Sequence, residues 1–168
     1  MLAYHYSKSK LTTIMNKKKQ SYTDSIYYQI KLASRYMKIF ATQLFEKVKA
    51  EISFEEFIAL DVVNDNKSMC QRDLAKLLLK DRANTGRIAD GLKNKGYIEI
   101  NVSLKGNRPI KEIVLTAKGK KTVLSLKNKL KPIVKSMENN LGEEGMEILN
   151  LSLKKCTNVL KEQIKNQI

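Results

Sequence analysis

A chain of 168 residues, 42% of them hydrophobic, is long enough for one globular domain with its own core, or one domain and a tail. Its 32 Lys+Arg against 17 Asp+Glu leave a net charge of +15, which predicts a polyanionic partner, because clustered cations attract phosphates and release counterions. Two distant cysteines, Cys70 and Cys156, and a single histidine, His5, exclude a disulfide framework, a zinc site and most acid–base chemistry.

No catalytic residue, cofactor or metal is therefore expected, and the chain reads as a non-enzyme. No apolar run approaches the roughly 18 residues of a membrane span, and the first 20 residues lack the apolar core of a signal peptide. The expected setting is a reducing cytoplasm without membrane attachment. Part of the lysine excess also fits the Lys, Asn and Ile bias of an AT-rich coding sequence.

Residues 1–20 carry Lys8, Lys10, Lys17, Lys18 and Lys19 and no acidic residue, and read as a basic tail without fixed structure. A start of translation at Met15 and an arm against DNA backbone are the other two readings. Residues 21–50 form a first long helix: Ile26, Ile30, Ala33, Met37, Phe40, Leu44 and Val48 step by three or four into one apolar stripe. Tyr27, Tyr28, Tyr36 and Phe45 widen it, as suits core, a subunit interface or a pocket for a flat apolar molecule.

Ser53 and Glu56 have capping-box spacing, and the helix they open turns Phe57, Leu60 and Val63 inward. Ser68, with Gln71 three residues on, is expected to cap a short next helix whose core face is Leu74, Ala75 and Leu78. Asp81 caps a further helix. On it, Thr85, Ile88 and Leu92 share an inner face and leave Ala83, Asn84, Arg87 and Gly91 outside. Helix, turn and second helix can place that second helix in a DNA major groove. There Asn pairs bidentately with adenine and Arg with guanine. The small residues Ala83, Gly86 and Gly91 would allow close approach to base edges; the other reading is that one glycine simply faces another helix.

Gly96 stands where a helix end needs positive φ. Residues 97–102 and 110–115 alternate as two strands, joined by a basic turn over 103–109 that contains Lys105, Asn107, Arg108 and Pro109. Such a hairpin is a wing whose tip touches phosphates or the minor groove. Between residues 80 and 121 there are 11 basic and 4 acidic residues. Thr116 caps a helix with Val123, Leu126, Leu130, Ile133 and Met137 on one stripe and Pro132 as an expected kink. Leu141-Gly142 breaks the chain before a last helix carrying Met146, Leu149, Leu153, Cys156, Leu160 and Ile164. These terminal helices suggest a dimerisation layer or, alternatively, an intramolecular bundle.

The order of elements, and above all DLAKLLLKDRANTGRIADGLKNKGYI followed by a hairpin and LTAKG, resembles the MarR family of winged-helix regulators over about residues 21–164. The fold so implied is mainly α with a small β-hairpin wing, a winged helix-turn-helix with a helical dimerisation layer. Residues 21–50 and 117–168 would supply that layer, through Ile26, Ile30, Met137, Met146, Leu149, Leu153 and Leu160. Residues 51–116 would form the DNA-binding lobe.

By position, the resemblance assigns base readout to Arg82, Ala83, Asn84, Gly86 and Arg87, backbone contacts at helix starts to Ser68, Gln71 and Lys80, and wing contacts to Lys105, Asn107 and Arg108. Members often carry hydroxyl residues where Ala83 and Gly86 stand, so readout should lean on Asn84 and Arg87. The wing departs further: Asn107-Arg108-Pro109 replaces the usual Asp-x-Arg, and Arg108, one position early, is the candidate substitute. The implied partners are double-stranded DNA, a second copy of the chain and a small apolar or phenolic effector. The implied function is a ligand-responsive repressor on a pseudo-palindromic operator; the alternative is a non-specific architectural, nucleoid-coating protein.

Overall fold

The structure, a computed structural model, describes residues 21–105 and 108–166. The basic tail and its three readings lie outside the described residues. The chain divides into two units, residues 1–49 and 50–168.

In the first unit a single 3-10 turn, Tyr22–Asp24, leads into α1, Ile26–Lys47. Ser25 is its N-cap and accepts the Tyr28 amide at 3.3 Å, so the helix begins later than residue 21. The rings of Tyr22 and Tyr28 meet edge to face at 5.6 Å. Buried residues are confined to the C-terminal part, Ala41, Leu44 and Phe45, while Ile26, Tyr27, Tyr36 and Met37 are exposed. The expected stripe is therefore only partly covered within one chain.

The second unit runs α2 (Phe54–Asn66), β1 (Ser68–Cys70), α3 (Gln71–Leu78), α4 (Arg82–Asn94), β2 (Ile98–Lys105), β3 (Arg108–Leu115) and α5 (Ala117–Asn166). Its sheet is antiparallel in the order β1-β3-β2. The core gathers Leu60 and Val63 of α2, Leu74 of α3, Leu92 of α4, and Tyr97 and Ile113 of the wing base. Val123, Leu126 and Leu130 bury the first part of α5. Lys127 ties that part to α2 through Asp61 and, at 3.9 Å, Asp65; the Asp61 bond raises the Lys127 pKa.

Local chemistry sets the element ends. The capping box is present: the Ser53 amide donates to Glu56 at 2.9 Å, and the Glu56 amide to the Ser53 hydroxyl at 3.2 Å. Gly96 has φ +75, and Thr116 accepts the Gly119 amide while donating to the Gly96 carbonyl. Helices also end on positive-φ residues that carry side chains, Lys67 and Leu79, which no glycine signalled.

Two expectations are corrected. Ser68 opens no helix: 68–70 is a strand paired to β3, with Met69 buried opposite Ile113, and α3 is capped by Cys70 without a side-chain bond. The wing strands are longer than expected, reaching Lys105 and Arg108, which pair directly. Pro109 thus sits inside β3 opposite Leu104. β1 covers only Glu112–Val114 of β3, so the proline lies where that strand has a free edge and no ladder bond is lost. The break expected at Leu141-Gly142 is present: Gly142, with φ +72 and ψ +162, is the one non-helical residue between two helical stretches of α5, and Pro132 lies within the first of them. No helix among the described residues is long and apolar enough to cross a membrane.

Candidate nucleic-acid interface

α4 presents two distinct faces. Thr85, Ala89 and Leu92 are buried, Thr85 with its hydroxyl donated to the Asp81 carbonyl at 2.9 Å. Ile88, expected beside them, is half-buried, and Ala89, which the spacing argument passed over, takes its place. Arg82, Ala83, Asn84 and Arg87 are exposed along the first two turns. Such a helix can offer one polar row to a groove while the other row holds it on the lobe.

The two ends of α4 are fixed by polar contacts. Asp81 accepts the Asn84 amide at 2.8 Å and also the Asn84 side-chain amide; these bonds hold its carboxyl below the ordinary carboxylate range. One hydrogen of the Asn84 amide is thus engaged, leaving the second hydrogen and the carbonyl oxygen for an adenine edge. Arg87 is exposed, with no hydrogen bond or ion pair among the described residues. At the far end Lys95 donates to both Glu56 oxygens, at 2.8 and 3.0 Å. Burial alone would push the Glu56 carboxyl up, but the Lys95 ammonium and the Ser53 amide outweigh it and lower its pKa.

The glycines are corrected. Gly86 faces α3: a Cβ there would lie 3.0 Å from the Gln71 amide nitrogen, which itself donates to the Arg82 carbonyl at 3.2 Å. Gly91 faces α2, where a Cβ would meet Glu56 at 3.5 Å. Both let α4 sit close to its own lobe, and neither opens the outer face. Ala83 is exposed on the outer face.

Of the backbone candidates, Gln71 is the exposed first residue of α3, and Lys80 lies beside Glu55 at 3.3 Å, its charge partly engaged. Ser68, in β1, is half-buried and two residues ahead of the Cys70 cap of α3. Lys105 and Arg108 face each other as the last pair of the wing ladder; Asn107 lies outside the described residues. Just inside that pair, Val102 and Leu104 are 70% and 75% exposed, so the wing is apolar along one side as well as basic at its tip. Period-two alternation placed Val102 with Ile98 and Ile100, but the core ends before it.

Of the dimerisation candidates, Ile26, Leu149, Leu153 and Leu160 are exposed, while Ile30 and Met146 are half-buried. Met137 is placed in α5 ahead of Gly142. Cys70 donates its thiol to Asp73 at 3.0 Å, and this bond is the first cause of a lowered Asp73 pKa. Among the described residues no group of three or more His, Cys, Asp or Glu could hold a metal ion.

Comparison with known proteins follows the fold. No family model matches the chain, and no curated protein sequence does. Solved structures match over most of its length. A crystal structure of S. aureus MepR with DNA is 25% identical, covers 83% of this chain and 99% of its own, and superposes with a TM-score of 0.70. A MarR/EmrR family transcriptional regulator from Acinetobacter sp. ADP1 is 21% identical over 80% of this chain and 93% of its own, TM-score 0.71. BpsR of Bordetella bronchiseptica, whose DNA binding is regulated by 6-hydroxynicotinic acid, is 15% identical over 81% and 95%, TM-score 0.70. The last two likenesses speak to the fold alone.

Proposed function

We propose that this chain, whose fold is that of the MarR-family winged-helix regulators, is a sequence-specific double-stranded DNA-binding transcriptional regulator. It acts as a homodimer on a pseudo-palindromic operator and represses until a small apolar or phenolic effector releases it. One observation carries the reading: α4 exposes Arg82, Asn84 and Arg87 on its first two turns while Thr85, Ala89 and Leu92 are buried. Arg87 then reads guanine, Asn84 reads adenine, and Gln71, Lys80, Lys105, Asn107 and Arg108 hold backbone.

The dimer rests on exposed apolar side chains after Gly142, which need cover. In it the two recognition helices would stand about 34 Å apart, one turn of DNA. The effector rests on the tyrosines of α1 and on the example of BpsR. The residue ranges serve as 21–50 and 117–168 for the dimer layer and 51–116 for DNA.

A second reading, non-specific coating of DNA, is favoured by charge: +5 in residues 1–20 and +7 in 80–121, of +15 in the whole chain. Selection of bound fragments from random duplex DNA separates the two. The regulator enriches a two-fold symmetric sequence with half-sites one turn apart, and repeating the selection with phenolic compounds lowers recovery. A coating protein enriches nothing.

A further inference from the structure

Glu55 and Glu56 are neighbours in the first turn of α2, where acidic groups oppose the helix dipole. Their side chains also reach past that helix. Glu55 lies 3.3 Å from the Nζ of Lys80, the residue just ahead of the Asp81 cap of α4. Glu56 accepts from the Nζ of Lys95, the residue that closes the other end of α4. Two adjacent carboxylates therefore hold both flanks of one 13-residue helix.

The Lys95 flank is tied further. Its carbonyl accepts from Lys118 Nζ at 2.9 Å, and that ammonium sits 4.3 Å from the centre of the Tyr97 ring. The Tyr97 hydroxyl in turn donates to Glu51 at 2.7 Å.

Bidentate base contacts demand near-linear hydrogen bonds at close to 3 Å, so a small rotation or slide of α4 loses them while phosphate contacts survive. Packing of Thr85, Ala89 and Leu92 seats α4 on its lobe, and Gln71 bonds its first turn to α3. The ion pairs at its flanks add directional anchors at both ends.

We propose that Glu55 and Glu56 are positioning residues for sequence readout, acting through Lys80 and Lys95 as a two-ended clip on the recognition helix. The inference rests on the sequence-specific reading above. The Lys80–Glu55 pair is partly exposed and contributes little to global stability, whereas Glu56 is only 14% exposed, so the effect of each is read in the selectivity of binding with the fold checked beside it.

The test uses the full chain and two duplexes, one selected by the wild type and one random, across a salt series. Glu56→Gln keeps an oxygen for the Ser53 amide and removes the charge and one of the two acceptors that face Lys95. It and Lys95→Met should each lower the selected-to-random affinity ratio about threefold, as for one surface pair. Their double variant should fall no further than either alone, and Lys95→Arg should keep the ratio, all with unchanged circular dichroism. Glu55→Gln should lower the ratio too, while tightening random DNA and steepening the salt slope, because Lys80 is freed for phosphate. Unchanged ratios in these variants would overturn the clip, and so would a fall confined to one glutamate. A wild-type ratio near one is a different failure: it removes the sequence-specific reading and the clip with it.

Discussion

The winged lobe and the helix segment after Gly142 have similar apolar content and opposite fates. In the lobe Leu60, Leu74, Leu92, Tyr97 and Ile113 are almost wholly buried by their own chain. Between residues 143 and 164 none is buried, and Ile148, Leu149, Leu151, Leu153, Val159, Leu160 and Ile164 are each more than 40% exposed. The lobe is complete in one chain; the terminal segment carries a core face without its other half. In the proposed dimer a second copy supplies that half, which separates the task of holding DNA from the task of spacing two lobes along it.

Breaking the terminal segment should have the largest effect. Leu149→Glu with Leu153→Glu places two charges where apolar area would be buried, a loss of more than about 3 kcal/mol from leucine burial alone. Sedimentation should show monomers and operator binding should collapse, while the lobe keeps its fold; a dimer that survives would assign its interface elsewhere.

Breaking the lobe needs a single methyl. A Cβ at Gly119 would lie within 2.2 Å of the Tyr97 carbonyl oxygen, which is backbone and cannot swing aside. Gly119→Ala should cost about 3 kcal/mol of unfolding free energy in denaturant titration. Gly91→Ala is the counterpart with the opposite sign. Its Cβ finds ordinary contact with Glu56 at 3.5 Å, so helix propensity should stabilise the lobe by about 1 kcal/mol.

The smallest effect is a titration. Burial first, then the Glu51 carboxylate, pushes the Tyr97 phenol up to about 12. The folded state thus holds that proton more tightly than the unfolded chain. The stabilisation is whole below pH 10 and is lost as pH rises toward 12. Ultraviolet titration should show one phenol ionising near pH 12, absent in Tyr97→Phe.

The contrast between the two regions also shows what a sequence makes legible. Caps announce themselves: Ser53 with Glu56, Asp81, Gly96 and Thr116 each stand at the element end their chemistry requires. Apolar period located the core of α4 to within one residue, Ala89 for Ile88. What stayed hidden is what depends on distant segments. Ser68 looks like a cap until β3 arrives to pair with it. Gly86 and Gly91 look like an open face until Gln71 and Glu56 are seen filling the space beside them. Glu55 and Glu56 look like dipole compensation until Lys80 and Lys95, 25 and 39 residues later, fold back onto them.

Everything rests on the outer row of α4 reading bases, and one measurement bears on that directly: affinities of the wild type and Arg87→Ala for the selected and a random duplex at 0.15 M salt, about the physiological ionic strength. The wild type should prefer its selected sequence by at least roughly 10³. Arg87→Ala should give up about 1–3 kcal/mol of that preference, chiefly at one guanine in each half-site, with random-DNA binding little changed. A preference untouched by Arg87→Ala, or a loss equal on both duplexes, would contradict the assignment of α4 as the reading helix.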